Sequence, residues 1–365
     1  MKINGKGCLL FAITIFGLQI ACKKSHPKSP ENVDENTFAT VTSTGSSQLS
    51  EARADLSGAS SGNKIMFAGG TTASGISSTV DIYDVGTGLW TVSQLSSPRP
   101  NLAGAAVNNK VLFSGGGNAQ FASNVVDIFD AGSLAKSKAQ LSVARYSLVA
   151  AIVGSKILFA GGTTSGSVYS KTVDIYDGNT GFWSTAQLSE ARTLLASTVS
   201  SNKAFFGGGW TTLPSKTVDI YDGNTGTWAT GLLSVARSNL AAASAGTKVI
   251  FAGGLDLIRD QILGTVDIYD TSTGTWSTAS LSEARYSLSA IAVGNKLIFA
   301  GGYKKNGPSA TVDIYDVNTG VWSAIKMTDA HAGAAIASLD NKVFVAGGYN
   351  ATGLSKTVDI LTLSK

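Results

Sequence analysis

Leu281-Ser-Glu-Ala-Arg285, an apolar run to Val293, the turn Gly294-Asn295, then Lys296-Leu-Ile-Phe-Ala-Gly301-Gly302, a loop, Thr311-Val-Asp-Ile-Tyr-Asp316, the turn Val317-Asn318-Thr319-Gly320 and Trp322 make up one unit of the chain. Blocks of the same kind begin at Leu49, Leu95, Leu141, Leu188, Leu233, Leu281 and Met327, about 46 residues apart. A period of that length belongs to arrays whose units cannot bury their own apolar face and must stack on neighbours. Each unit reads as four short strands rich in β-branched and aromatic residues, with turn residues between them and no helical period. Seven such units exceed the roughly ten strands that one twisted open sheet holds. Radial repetition solves the exposed-edge problem, so the expected fold is all-β: a seven-bladed β-propeller with four antiparallel strands per blade.

The recurring Arg, the glycine pairs Gly69-Gly70, Gly161-Gly162, Gly253-Gly254, Gly301-Gly302 and Gly347-Gly348, the Val-Asp-x-Tyr-Asp strand and the closing Trp resemble kelch repeats over about six-sevenths of the chain. Two units depart from the pattern. The second ends Phe129-Asp130-Ala-Gly-Ser-Leu-Ala without Trp, and the seventh stops at Val358-Asp-Ile-Leu-Thr-Leu-Ser-Lys365 without a fourth strand. Asn36-Thr-Phe38-Ala-Thr-Val41-Thr is expected to supply that strand and close the ring, with Phe38 in the place of Trp322. Closure removes two strand edges that would otherwise invite aggregation.

The first 22 residues differ in kind: Lys2 and Lys6 precede the apolar stretch Cys8–Ile20, followed by Ala21-Cys22-Lys23-Lys24. The stretch suits a secretory signal better than a membrane span, which needs about 20 apolar residues. Ala21-Cys22 resembles the cleavage site of bacterial lipoproteins, which implies a lipidated Cys22, and Leu18 sits one place off the usual leucine position. The organisation expected is a signal peptide over 1–21, a lipid-anchored tether over 22–36 and the propeller over 37–365. The tether segment has no apolar periodicity and two prolines, as flexible linkers do. Localisation at a bacterial cell envelope, on the outer membrane or the periplasmic face, follows from the lipoprotein resemblance.

Charged residues are 14% of the chain, against roughly 25% in ordinary domains, and glycine accounts for 42 of 365 positions. Removing Lys2 and Lys6 leaves 26 − 24 = +2 from the formal +4, without the basic stripe that nucleic-acid binding needs. Only His26 and His331 are present, and no cysteine follows position 22. The histidines and cysteine-linked tyrosine of galactose oxidase, another kelch propeller, have no counterparts, and a zinc cluster lacks ligands. No cofactor or metal is expected. Asp222-Gly-Asn-Thr-Gly226-Thr-Trp228 reads as a hairpin turn with Asp bonding the turn backbone.

Arg53, Arg99, Arg145, Arg192, Arg237 and Arg285 recur with Asp81, Asp127, Asp174, Asp219, Asp267 and Asp313, and His331 takes the arginine place in the seventh unit. One reading pairs Arg with Asp inside each blade, the arginine reaching over the diglycine. The rival places the seven side chains as an anion-attracting ring at the channel mouth. Strand direction puts the loops after each Gly-Gly and the Leu-Ser-x-x-Arg connections on one face, and there symmetry breaks. The residue after the glycines is Thr71, Gly117 and Thr163 in three units, but Trp210, Leu255, Tyr303 and Tyr349 in the rest. Leu257, Ile258, Arg259, Lys304 and Lys305 extend this candidate binding surface. Aromatic groups beside cations suit a protein partner or a sugar ring. The expected function is therefore a non-enzymatic, monomeric scaffold binding an envelope protein or glycan. The alternative is a metal-free periplasmic enzyme resembling the kelch sialic acid mutarotases, with Arg145, Arg285, Glu190 and Glu283 as candidates.

Overall fold

The computed structural model describes residues 37–365, so the signal-peptide and tether assignments lie outside the described residues. Every regular element among them is a strand. Seven four-stranded antiparallel sheets form the blades, and the first strand of each blade packs against the first strands of its neighbours around the axis. Side-chain size explains this order. The inner strands, such as Ser57–Ser61 and Ala241–Ala245, carry Gly, Ala and Ser and can crowd together. The second strands, such as Lys64–Ala68, are apolar and buried on both faces. The outer strands, such as Trp183–Gln187, alternate exposed polar residues with half-buried ones. Blades join through apolar layers, for example Leu49, Ile65, Phe67 and Phe344 between the first and seventh.

In five blades the third-strand Tyr packs on the fourth-strand Trp, as Tyr315 on Trp322 with ring centroids 5.0 Å apart. In the second blade Lys136 stands at the Trp position, opposite Phe129, and its ammonium lies 6.0 Å from the Phe129 ring centroid.

The seventh blade takes its outer strand from the chain start: Thr40–Gln48 pairs antiparallel with Thr357–Ser364. The closing strand thus starts later than the sequence reading places it. Ser43 opposite Leu361, not Phe38, occupies the Trp register, beside an irregularity between Ser43 and Gly45. Phe38 instead reaches the sixth blade, where its N–H donates to Asn295 Oδ1 at 2.6 Å and its carbonyl accepts from Asn295 Nδ2 at 3.1 Å. Its ring packs beside Val41, Val293 and Leu363.

The diglycines also serve the contact between blades. Gly69 and Gly70 have φ of +67° and +107°, conformations that favour glycine. A Cβ at Gly69 would stand 2.3 Å from the Arg99 carbonyl, and Gly70 N–H donates to that same carbonyl at 3.0 Å. What Gly69 admits is therefore the backbone of the next blade's arginine, while a Cβ at Gly70 would stand 2.6 Å from the Ala54 carbonyl of its own blade. The same bond recurs from Gly116 to Arg145, from Gly302 to His331 and from Gly348 back to Arg53 across the closure.

Candidate functional site

The site is framed by a buried Arg–Asp ion pair in six blades and by a buried His–Asp contact in the seventh. Arg53 donates through Nη1 to the carbonyls of Gly69 (2.8 Å) and Thr79 (2.6 Å), and through Nη2 to the Phe67 carbonyl (3.0 Å) and to Asp81 Oδ2. Asp81 Oδ1 accepts the Ser50 N–H at 3.0 Å. The spacing of Leu-Ser-x-x-Arg is thus the spacing that lets one carboxylate hold both the Ser amide and the guanidinium. Arg99–Asp127, Arg145–Asp174, Arg192–Asp219, Arg237–Asp267 and Arg285–Asp313 repeat the pair. In the seventh blade His331 Nε2 lies 2.8 Å from Asp359 Oδ2 and Nδ1 2.6 Å from the Gly347 carbonyl. Burial lowers the pKa of each guanidinium, opposed by its aspartate's charge, and an arginine remains charged throughout.

The six arginines and His331 are at most 1% exposed. The placement of these seven residues at the channel mouth is therefore corrected: the mouth belongs to the residues two positions later. Asp55, Asn101, Ser147, Leu194, Asn239, Ser287 and Gly333 line a basin of about 340 Å³. All seven have positive φ, between 49° and 62°, which suits Asn, Asp and Gly. Their backbones link head to tail: Asn101 N–H to Asp55 O, Ser147 to Asn101, Asn239 to Leu194, Ser287 to Asn239, Gly333 to Ser287 and Asp55 to Gly333, at 2.8 to 3.3 Å. Between the third and fourth blades the Ser147 carbonyl instead accepts from the Thr193 hydroxyl at 3.4 Å. Leu194 follows that gap, an aliphatic residue held in the left-handed region (φ 54°).

At this gap the loop face opens into a second cleft of about 280 Å³, walled by Tyr146, Tyr169, Trp210, Leu194 and Leu257, with Ser147, Thr163, Ser167 and Thr193 supplying hydroxyls. Trp210 Nε1 donates to the Tyr169 hydroxyl at 3.1 Å, which fixes the indole plane. The remaining predicted residues take several roles. Leu255 pairs with Ile262 in a two-residue hairpin. Ile258 is 61% exposed. Arg259 is held by Asp256 at 2.6 Å. Lys304 pairs with Glu283 at 3.1 Å, and Lys305 is exposed. Tyr303 lies 5.4 Å from Tyr286 and 6.4 Å from Tyr349, centroid to centroid, away from the cleft. The expected single sector is therefore two clusters.

The glutamates of the enzyme alternative are committed locally. Glu190 accepts from the Ser215 hydroxyl, and Glu283 from Ser309 (2.7 Å) and Thr311 (3.0 Å). Tyr146, Tyr169, Tyr286 and Asp55 were not among the residues singled out from sequence. Aligning the units on the position after Arg would have found two of them, since it reads Ala54, Pro100, Tyr146, Thr193, Ser238, Tyr286 and Ala332. That position pairs with the one after Gly-Gly: Tyr286 N–H donates to the Tyr303 carbonyl at 3.0 Å, and the reverse bond is 2.8 Å.

The Kelch motif model matches residues 52–93, 236–280 and 284–326, which are the first, fifth and sixth blades. No curated protein matches the chain. With those motifs set in a ring of seven four-stranded blades, the chain is a seven-bladed β-propeller that carries Kelch motifs in three of its blades.

Proposed function

We propose that this protein is a non-enzymatic binding scaffold, lipid-tethered through Cys22 at a bacterial cell envelope, that recognises a protein or glycan through its loop face. The cleft of Tyr146, Tyr169, Trp210 and Leu257 carries the reading. It is concave and aromatic, lies where the repeat symmetry fails, and includes a residue in a strained backbone conformation, a combination that marks recognition sites more than scaffolding. Its volume suits one sugar ring or one large side chain of a partner. The mutarotase alternative loses its named groups: Arg145 and Arg285 are fully buried, and Glu190 and Glu283 are bonded within their blades.

Crosslinking of the intact protein in its native envelope, alongside a Trp210→Ala, Leu257→Ser variant, tests the reading. A partner captured by the parent and lost by a folded variant supports it, and a released glycan supports its glycan arm. A partner retained in full by the variant contradicts it.

A further inference from the structure

The basin at the channel mouth has one ionisable side chain among its lining residues, Asp55. Burial raises the Asp55 pKa, with no hydrogen bond or nearby cation among the described residues to offset it. A half-buried carboxylate without a counter-charge is costly, and the cost is recovered when a cation reaches it. Lys304, next to Tyr303 in sequence, is directed to Glu283.

Aromatic rings flank the same corner. Tyr303 and Tyr349 lie 6.4 Å apart at an interplanar angle of 37°, with Tyr286 stacked behind Tyr303. Tyr349 pairs through its backbone with Ala332, and the next residue, Gly333, accepts the Asp55 N–H at 3.3 Å, which sets Asp55 beside the segment that carries Tyr349. Burial raises the pKa of both phenols, with the neighbouring tyrosines and then Asp55 adding to it at Tyr303, and Asp55 at Tyr349. Across the basin rim Gly333 contributes no side chain. A Cβ there would have Asp55 Oδ1 as its nearest neighbour at 3.7 Å, so the approach to the carboxylate is open. Negative charge beside electron-rich ring faces selects cations, and such contacts strengthen when desolvated.

We propose that Asp55, Tyr303 and Tyr349 form a binding site for an organic cation, an alkylammonium or guanidinium group, with Asp55 as counter-ion and the tyrosines as aromatic walls. The site lies apart from the Trp210 cleft and stands or falls independently of it. The same chemistry arrives either as a free small cation or as a Lys or Arg side chain of a polypeptide.

The test titrates the full chain with tetramethylammonium, n-butylguanidinium and the peptides Gly-Lys-Gly and Gly-Arg-Gly, with tert-butanol as the neutral control, followed by NMR shifts of the tyrosine rings. Asp55→Asn and Tyr349→Thr are the comparison variants. Both install residues the repeat itself uses at those positions, Asn101 and Asn239, and Thr71 and Thr163, so the fold is retained. Expected is saturable binding of a cation, no saturation by tert-butanol, an affinity loss of about tenfold or more in Asp55→Asn, and a smaller loss in Tyr349→Thr. Saturation by the free cations assigns a small-molecule ligand, and saturation by the peptides alone assigns a polypeptide one. Failure of every probe, equal binding of tert-butanol, or unchanged affinity in Asp55→Asn overturns the proposal.

Discussion

Within each repeat, the Arg position and the two positions after it are adjacent in sequence and opposite in behaviour. Six blades place Arg there and one places His331, all at most 1% exposed and all bonded to the third-strand Asp. One and two steps later the residue pair differs from each blade to the next, as in Tyr146-Ser147, Thr193-Leu194, Ser238-Asn239 and Tyr286-Ser287, and the second residue of each pair lines the basin on the loop face. The constant position ties a blade to itself and, through its carbonyl, to the preceding blade's glycines. The variable positions are tied through their backbones, to the loop after the glycines and to one another around the basin, so their side chains can specialise without unlinking the blades. In this ring, repetition marks what holds the blades, and its failure marks the surface presented to ligands.

The largest break comes from the closure. Removing residues 37–48 exposes the edge of Thr357–Ser364 and uncovers the Val41 layer. It should abolish most of the ~5–15 kcal/mol typical of a folded domain, read as aggregation or a collapsed urea midpoint. Arg285→Ala strands the Asp313 carboxylate and should cost about 3–5 kcal/mol, whereas Arg285→His, copying the seventh blade, should cost less. Equal stability of Arg285→Ala and the parent in urea melts would remove the constant position from its structural role. Leu194→Asn tests the variable side: relieving an aliphatic side chain at φ 54° should gain up to about 1 kcal/mol while weakening capture at the cleft. The smallest effect is expected at Asp55. Burial holds its folded pKa above the ordinary value of 3.8, so its ionisation opposes folding as pH rises above 3.8. Asp55→Asn should therefore be more stable than the parent at neutral pH and converge with it below about 3.8, as thermal melts across pH would report.

Architecture was legible because period, strand number and turn residues all repeat, and seven imperfect copies average out local ambiguity. The Arg–Asp pairing was legible as one of two readings, since both residues recur at fixed spacing, but spacing alone does not say whether a long side chain points inward or toward the axis. Phe38 misled because an aromatic residue near the chain start resembles a displaced Trp322, while register is set by hydrogen bonding to Thr357–Ser364. Trp210, Tyr303 and Tyr349 were visible as breaks in the pattern. Their division into two clusters depends on Tyr146 and Tyr169 of the third unit and on Tyr286, which lies on the connection that opens the sixth. Asp55 was hidden for another reason: a single aspartate after Ala54 looks like surface variation until the ring places it against Gly333, beside the segment paired with Tyr349.

The measurement that bears most directly on this account is a paired one, urea stability and envelope partner capture, on Trp210→Thr, Leu257→Ser and on Arg285→His. The account predicts that the cleft variant keeps its stability within about 1 kcal/mol and loses its partner, while the blade variant loses stability and, where folded, keeps its partner. A cleft variant that retains its partner, or a blade variant that keeps full stability but loses capture, would contradict it.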